Sequence, residues 1–173
     1  MQSISDNEFS VINFLIRNFS ERFTIRGIAK ELNLSAAGVH SILKKLEKSK
    51  VVVAEKLGTG LFYNINLNSS VAKHLAAIVL LGFLELKKPD LEEVKDDIKI
   101  AAFDGKNMLI VSNDRTIEDK LAGKGFNLII LAEEELVEKI SSKDKAVIEI
   151  IKKGVVIAGE GLLIDMIKRG MRY

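Results

Sequence analysis

Between Asp6 and Asn18 and on to Phe19, apolar residues recur at Phe9, Ile12, Leu15, Ile16 and Phe19, the spacing of a helix that buries one side. That helix is expected to serve packing. Thr24 is a good N-cap for a helix over Ile25 to Leu32, Asn33-Leu34-Ser35 suits a tight turn, and Ser35 caps a second helix running to about Ser49. Within this second helix Val39, Leu43 and Leu46, with Ile42 beside them, are expected to face inward. Ala36, Ala37, Gly38, His40, Ser41, Lys44, Lys45 and Lys48 occupy the rest of its circumference. Two alternating segments follow, residues 51–56 and 61–66, joined by Leu57-Gly58-Thr59-Gly60, which predicts a hairpin with a four-residue loop.

Two helices and a hairpin in this order resemble the winged helix-turn-helix domains of bacterial and archaeal transcription regulators. The resemblance is carried by Ile28-Ala29-Lys30-Glu31-Leu32-Asn33-Leu34-Ser35, then Val39, Leu43, Lys44-Lys45-Leu46-Glu47-Lys48 and Val51-Val52. It implies double-stranded DNA as the partner and the helix starting at Ser35 as the reader. The residues expected to meet DNA are Ser35, Ala36, Ala37, His40, Ser41, Lys44, Lys45 and Lys48 of that helix, with Lys56 and Thr59 of the hairpin, or wing. Small residues in the first turn allow close approach to base edges, and hydroxyl, imidazole and ammonium groups further along can bond bases or phosphates. One departure from the pattern is Ser49-Lys50, where such domains often carry glycine.

Residues 69–86 predict a further helix whose centre, Leu75 to Leu84, is apolar at all ten positions. This is too short for a hydrocarbon core that needs about 20 residues, so no membrane span is expected. Such a helix needs cover on nearly all sides, either from a second protomer in a homodimer or from the other domain of its own chain. His74 reads as a boundary residue. Pro89, the only proline, is followed by Asp90-Leu91-Glu92-Glu93, an N-cap with a glutamate three residues on, where a new helix is expected to start. The expected divisions are a winged-helix domain over residues 1–68, a connecting or dimerisation helix over 69–88, and an α/β domain over 89–173.

In that last domain, strand-like runs Ile98 to Phe103 and Met108 to Val111 flank the hairpin signal Asp104-Gly105-Lys106-Asn107. Thr116 is expected to cap a helix ending before Gly123, followed by a strand over Leu128 to Leu131, helices over Glu133 to Ile140 and Asp144 to Lys153, a strand over Val155 to Ala158 and a last helix over Leu162 to Lys168. Gly154 is the expected helix stop. From Asn127 to Ile167 this order, with Glu133-Glu134-Glu135 opening one helix and Gly154-Val155-Val156-Ile157-Ala158-Gly159-Glu160 opening the last, resembles the polymerase-beta-like nucleotidyltransferase superfamily. Active members hold two metal ions with three carboxylates and carry Gly-Ser on a helix after the first strand. Here the aligned positions are Gly105, Asn107 and Asn127, and no Gly-Ser helix separates the first two strands. The resemblance therefore implies a silenced site, with Asp104 and Asp114 as the alternative, displaced ligands.

The chain has no cysteine and only two histidines, which excludes disulfides and thiolate zinc sites. No cofactor, metal site or catalytic residue is expected. Residues 1–88 hold 12 Lys+Arg against 7 Asp+Glu and residues 89–173 hold 14 against 17, so the basic half is the winged-helix half. Gly123-Lys124-Gly125 and Gly159-Glu160-Gly161 lack the order of a phosphate loop and read as turns. Ser141-Ser142 reads as helix capping, and Glu133-Glu134-Glu135 as a dipole-favoured helix start. Met1 to Asp6 show no secretory pattern, so a cytoplasmic protein is expected. The fold class expected is α+β, a winged helix plus a small α/β domain. The function expected is a transcriptional regulator whose inactive C-terminal domain dimerises or senses a small-molecule effector. A reduced nucleotidyltransferase and an adaptor that no longer touches DNA are the alternatives.

Overall fold

The computed structural model describes residues 4–82 and 89–171, and the chain divides into two units, Met1–Ala76 and Ala77–Tyr173. In the first, α1 (Asp6–Arg17) begins with a reciprocal cap: the Ser5 hydroxyl accepts the Glu8 N–H, and the Glu8 carboxylate accepts the Ser5 N–H. α2 (Ile25–Leu32) is capped by Thr24 and stopped by Asn33, whose φ of 53° is left-handed, a conformation asparagine adopts more readily than most residues. The turn leads into α3 (Ala36–Lys48), where the Ser35 hydroxyl accepts the Gly38 N–H at 3.0 Å. Val11, Ile12, Leu15, Ile28, Val39 and Leu43 are almost wholly buried and form the centre of a three-helix core. Ile42, expected inward, is only half-buried at the margin of that stripe.

The chain leaves α3 through Lys50, at a left-handed φ of 58° that glycine would adopt without steric cost. β1 (Val52–Leu57) and β2 (Gly60–Ile65) then pair antiparallel, with Leu57 opposite Gly60. The loop is therefore two residues, Gly58-Thr59, rather than the four expected. Gly58, at φ 59°, supplies the positive φ that a tight hairpin needs at its first central position, which lets the ladder close two residues further out. The Tyr63 N–H donates to the Phe23 carbonyl at 2.8 Å, fastening the base of the wing to the segment before α2.

Helix α4 (Ser70–Leu81) buries Ala72, Ala76, Val79 and Leu80, while Val71, Ile78 and Leu81 are exposed. Within one chain the cover expected on nearly all sides of this helix is incomplete, and one apolar side stays exposed. Residues 83–86 of the expected helix lie outside the described residues. His74 is exposed, with Nδ1 2.7 Å from the Ser70 carbonyl oxygen.

In the second unit a single 3-10 stretch, Glu92–Asp97, stands where an α-helix was expected. Asp90 does accept the Glu92 N–H, but Leu91 and Val94 turn into a hydrophobic cluster, and the chain enters a strand. The sheet comprises β3 (Ile100–Phe103), β4 (Asn107–Val111), β5 (Asn127–Leu131) and β6 (Val155–Ala158), in the order β5-β4-β3-β6. β3 is antiparallel to β4 and β6; β4 and β5 are parallel, joined across α5 (Ile117–Leu121). Because successive strand residues alternate faces, Ala101, Phe103, Met108 and Ile110 pack with Ile117 and Leu121. The intervening Ile100, Ala102, Leu109 and Val111 take the other face, the side of α7 (Lys145–Lys153) and α8 (Glu160–Gly170), with α6 (Glu133–Ser141) packed on α8.

Three local expectations change. Thr116 makes no side-chain cap to α5; the Asp114 carboxylate instead accepts both its N–H and its hydroxyl. Asp144, not Ser141 or Ser142, caps α7 through the Val147 N–H, and the Ser141 hydroxyl donates to the Gly170 carbonyl. Gly154 stops α7 without a left-handed φ: a Cβ there would lie 2.5 Å from the Ile150 oxygen and 2.6 Å from that of Phe103, so glycine is needed for close approach.

Candidate nucleic-acid interface

On α3, the inward stripe of Val39, Leu43 and Leu46 forces every other position outward, and Ser35, Ala36, Ala37, His40, Ser41, Lys44, Lys45 and Lys48 are all exposed. Ser41, Lys44, Lys45 and Lys48 recur at three- and four-residue spacing and with Ser49 line one shallow, open concavity. Its walls therefore carry three ammonium groups and two hydroxyls, the donor set that phosphate oxygens accept. Among the described residues Lys44 and Lys48 have no carboxylate partner.

Lys45 differs. Its Nζ lies 2.6 Å from Oε1 of Glu8, whose side chain is only 10% exposed. The hydrogen bond from Lys45, followed by that from the Ser5 N–H, holds the Glu8 carboxyl below its ordinary range, so it is ionised at neutral pH. In this geometry Lys45 shares its charge with Glu8. Sequence reasoning missed Glu8 because it read α1 as packing alone; the available signal was the Ser5-x-x-Glu8 capping pattern.

Lys56 and Thr59 are exposed on the wing. Beside them Glu55 pairs with Arg22 at 3.0 Å, and the turn is flanked by exposed Leu57 and Leu61.

In the second unit, Gly105 lies in the β3–β4 turn, and Asn107 stands opposite Asn127 in the parallel register of β4 and β5. The Asn127 amide donates to Asn107 Oδ1 at 3.0 Å, and the Asn107 amide donates to Asp104 Oδ2 at 2.9 Å. Asp104 Oδ1 also accepts the Lys106 and Asn107 N–H groups, so this carboxylate closes its own turn. Burial pushes its carboxyl up, but the Asn107 side chain and these two N–H groups outweigh that and leave it below the usual range. Asp114 is likewise held low by the hydroxyl and N–H of Thr116. Both aspartates, the displaced ligands considered from sequence, accept hydrogen bonds that organise their own loops. Among the described residues, no three His, Asp or Glu side chains gather as a metal site, and no helix is long and apolar enough to cross a membrane.

No curated protein matches the chain. Residues 2–59, which take in α1, α2, α3 and the outgoing strand of the wing, match the model of the MarR family, so the N-terminal unit is similar to the winged helix-turn-helix of a family of DNA-binding transcription regulators.

Proposed function

We propose that this protein is a cytoplasmic transcriptional regulator that binds double-stranded DNA through α3 and acts as a homodimer. The observation that carries the reading is the exposed stripe of Ser41, Lys44, Lys45 and Lys48 on the helix that a winged-helix regulator uses for recognition. The first turn, Ala36, Ala37 and Gly38, presents little side-chain bulk to a groove floor. The exposed apolar side of α4, with Val71, Ile78 and Leu81, favours a second protomer as its cover.

The C-terminal unit acts, in this reading, as a catalytically silent nucleotidyltransferase-like module for dimerisation or for sensing a small-molecule effector. Two features support it: the direct β3–β4 hairpin, which leaves no helix between those strands, and the neutral Asn107–Asn127 pair at the positions aligned with metal-binding carboxylates. An amide can coordinate a hard cation but brings no negative charge to balance two of them.

A titration of the purified protein against duplex DNA at increasing salt tests the proposal. Affinity is expected to fall linearly in log–log form, with selective enrichment of one sequence from a random pool. The same affinity and salt slope for a Lys44→Ala/Lys48→Ala variant would overturn it.

A further inference from the structure

Successive residues of an α-helix stand about 100° apart, so positions spaced by four, three and four residues fall within an arc of about 60°. Ala37, Ser41, Lys44 and Lys48 have this spacing on α3, and all four are exposed. Their arc lies opposite buried Val39, Leu43 and Leu46. His40 and Lys45 stand on its two flanks, Lys45 drawn to Glu8 at 2.6 Å, and Glu47, the one carboxylate of α3, is about a quarter turn away. Ala36 is exposed as well, but at about 100° from Ala37 it lies outside the row. From its N-terminal end the row therefore presents a methyl, a hydroxyl and two ammonium groups.

The strongest base readout in a major groove comes from bidentate bonds, from arginine or lysine to guanine and from asparagine or glutamine to adenine. α3 has no arginine, asparagine or glutamine, and its lysines are confined to its C-terminal half. In helix-turn-helix docking the N-terminal residues of the reading helix contact the base edges. Lys44 and Lys48, lining the open concavity, are suited to phosphate. That leaves two groups of the row for bases. The Ser41 hydroxyl can bond to several of them, whereas the Ala37 methyl has one complement on the groove floor, the C5-methyl of thymine. Ala37 stands about 10 Å along the axis from Lys44, and its short side chain lets the backbone come close to that floor. We infer that Ala37 is a specificity-determining residue that packs its methyl on the C5-methyl of a thymine, so the preferred DNA carries thymine at one fixed position under α3. The inference rests on DNA reading by α3.

The test uses the full chain and a duplex enriched from a random pool, in which each thymine is replaced singly by deoxyuridine, which pairs identically and lacks only the C5-methyl. At one thymine of each half-site uracil is expected to weaken binding about fourfold, the factor for one buried methyl group. Ala37→Gly should bind the thymine and uracil duplexes equally, with the salt slope of wild type. Ala36→Gly, the same change one residue off the row, should keep the fourfold ratio. Each ratio compares two duplexes against one preparation, so a lower folded fraction in a glycine variant leaves it unchanged. Uracil tolerated at every thymine, or a fourfold ratio retained by Ala37→Gly, overturns the methyl contact and leaves the DNA-reading proposal standing. A ratio lost equally in Ala36→Gly assigns the effect to the start of the helix rather than to the Ala37 methyl and also overturns it. No duplex binding by wild type removes the DNA-reading proposal itself, and the methyl contact with it.

Discussion

The carboxylate of Glu8 and the ammonium of Lys45 meet at 2.6 Å, joining the first turn of α1 to the outer face of α3. The other oxygen of the same carboxylate caps α1 through the Ser5 N–H, so one side chain both starts a helix and anchors a cation of the proposed reading surface. Glu8 thereby offsets part of the positive field that α3 offers to phosphate.

Glu8→Gln separates these roles, since glutamine can still accept the Ser5 N–H but carries no charge. The variant is expected to lose about 1 kcal/mol of stability at neutral pH, at the upper end for a partly exposed pair. It should bind DNA more tightly, with a salt slope steeper by about one unit as Lys45 is released. The folded-state carboxyl lies below its ordinary value, so the pair's contribution is complete above the unfolded-state pKa of about 4.3 and fades as pH falls through the folded value. Thermal melts should therefore show a gap between wild type and variant at pH 7 that closes toward pH 3. A gap independent of pH would mean the ion pair is not its source.

Lys44→Ala and Lys48→Ala should each weaken binding to all sequences and flatten the plot of log K against log salt by about 0.9. Ser41→Ala should instead alter which sequences are preferred while leaving that slope in place. Fluorescence anisotropy over a salt series distinguishes the two. Full affinity in a Lys44→Ala/Lys45→Ala variant would leave the adaptor reading in front.

Ile78→Glu places a charge on the exposed side of α4. A carboxylate cannot be buried there without a partner, so light scattering is expected to show the mass falling from dimer to monomer. A dimeric mass in this variant would show that α4 is not the interface.

Asn107→Asp exchanges the amide that donates to Asp104 for a second carboxylate. Loss of the donor and the like-charge contact should cost about 1–3 kcal/mol at neutral pH. The new carboxyl would have a raised folded-state pKa, so the loss should be small at low pH and grow as pH rises through the carboxylate range, which melts at several pH values would reveal. No nucleotidyl transfer from any nucleoside triphosphate with magnesium or manganese is expected of the wild-type protein. Turnover abolished by changing Asp104 or Asp114 would reinstate the enzyme reading.

Helices α1, α2 and α3 were legible because their signals are local. Thr24 and Ser35 satisfy N–H groups three residues away, and the apolar spacing of Val39, Leu43 and Leu46 leaves only one side of α3 to turn inward, so the outward set from Ser35 to Lys48 could be written down from the chain alone. The wing's existence was equally local, but its length was not: closing the ladder at Leu57 and Gly60 depended on Gly58 taking a positive φ. At Thr116 the expected cap did not form: its backbone is already helical, and its hydroxyl is turned to donate, with its N–H, to the Asp114 carboxylate. What only the tertiary structure decided is which distant side chains meet. Glu8 found Lys45 because α1 packs across α3, and Asn127 found Asn107 because parallel pairing set β4 and β5 in register. Hydrogen bonds within a turn are constrained by backbone geometry that a few residues determine, whereas a pairing across 20 or more residues depends on how whole elements bury their apolar faces.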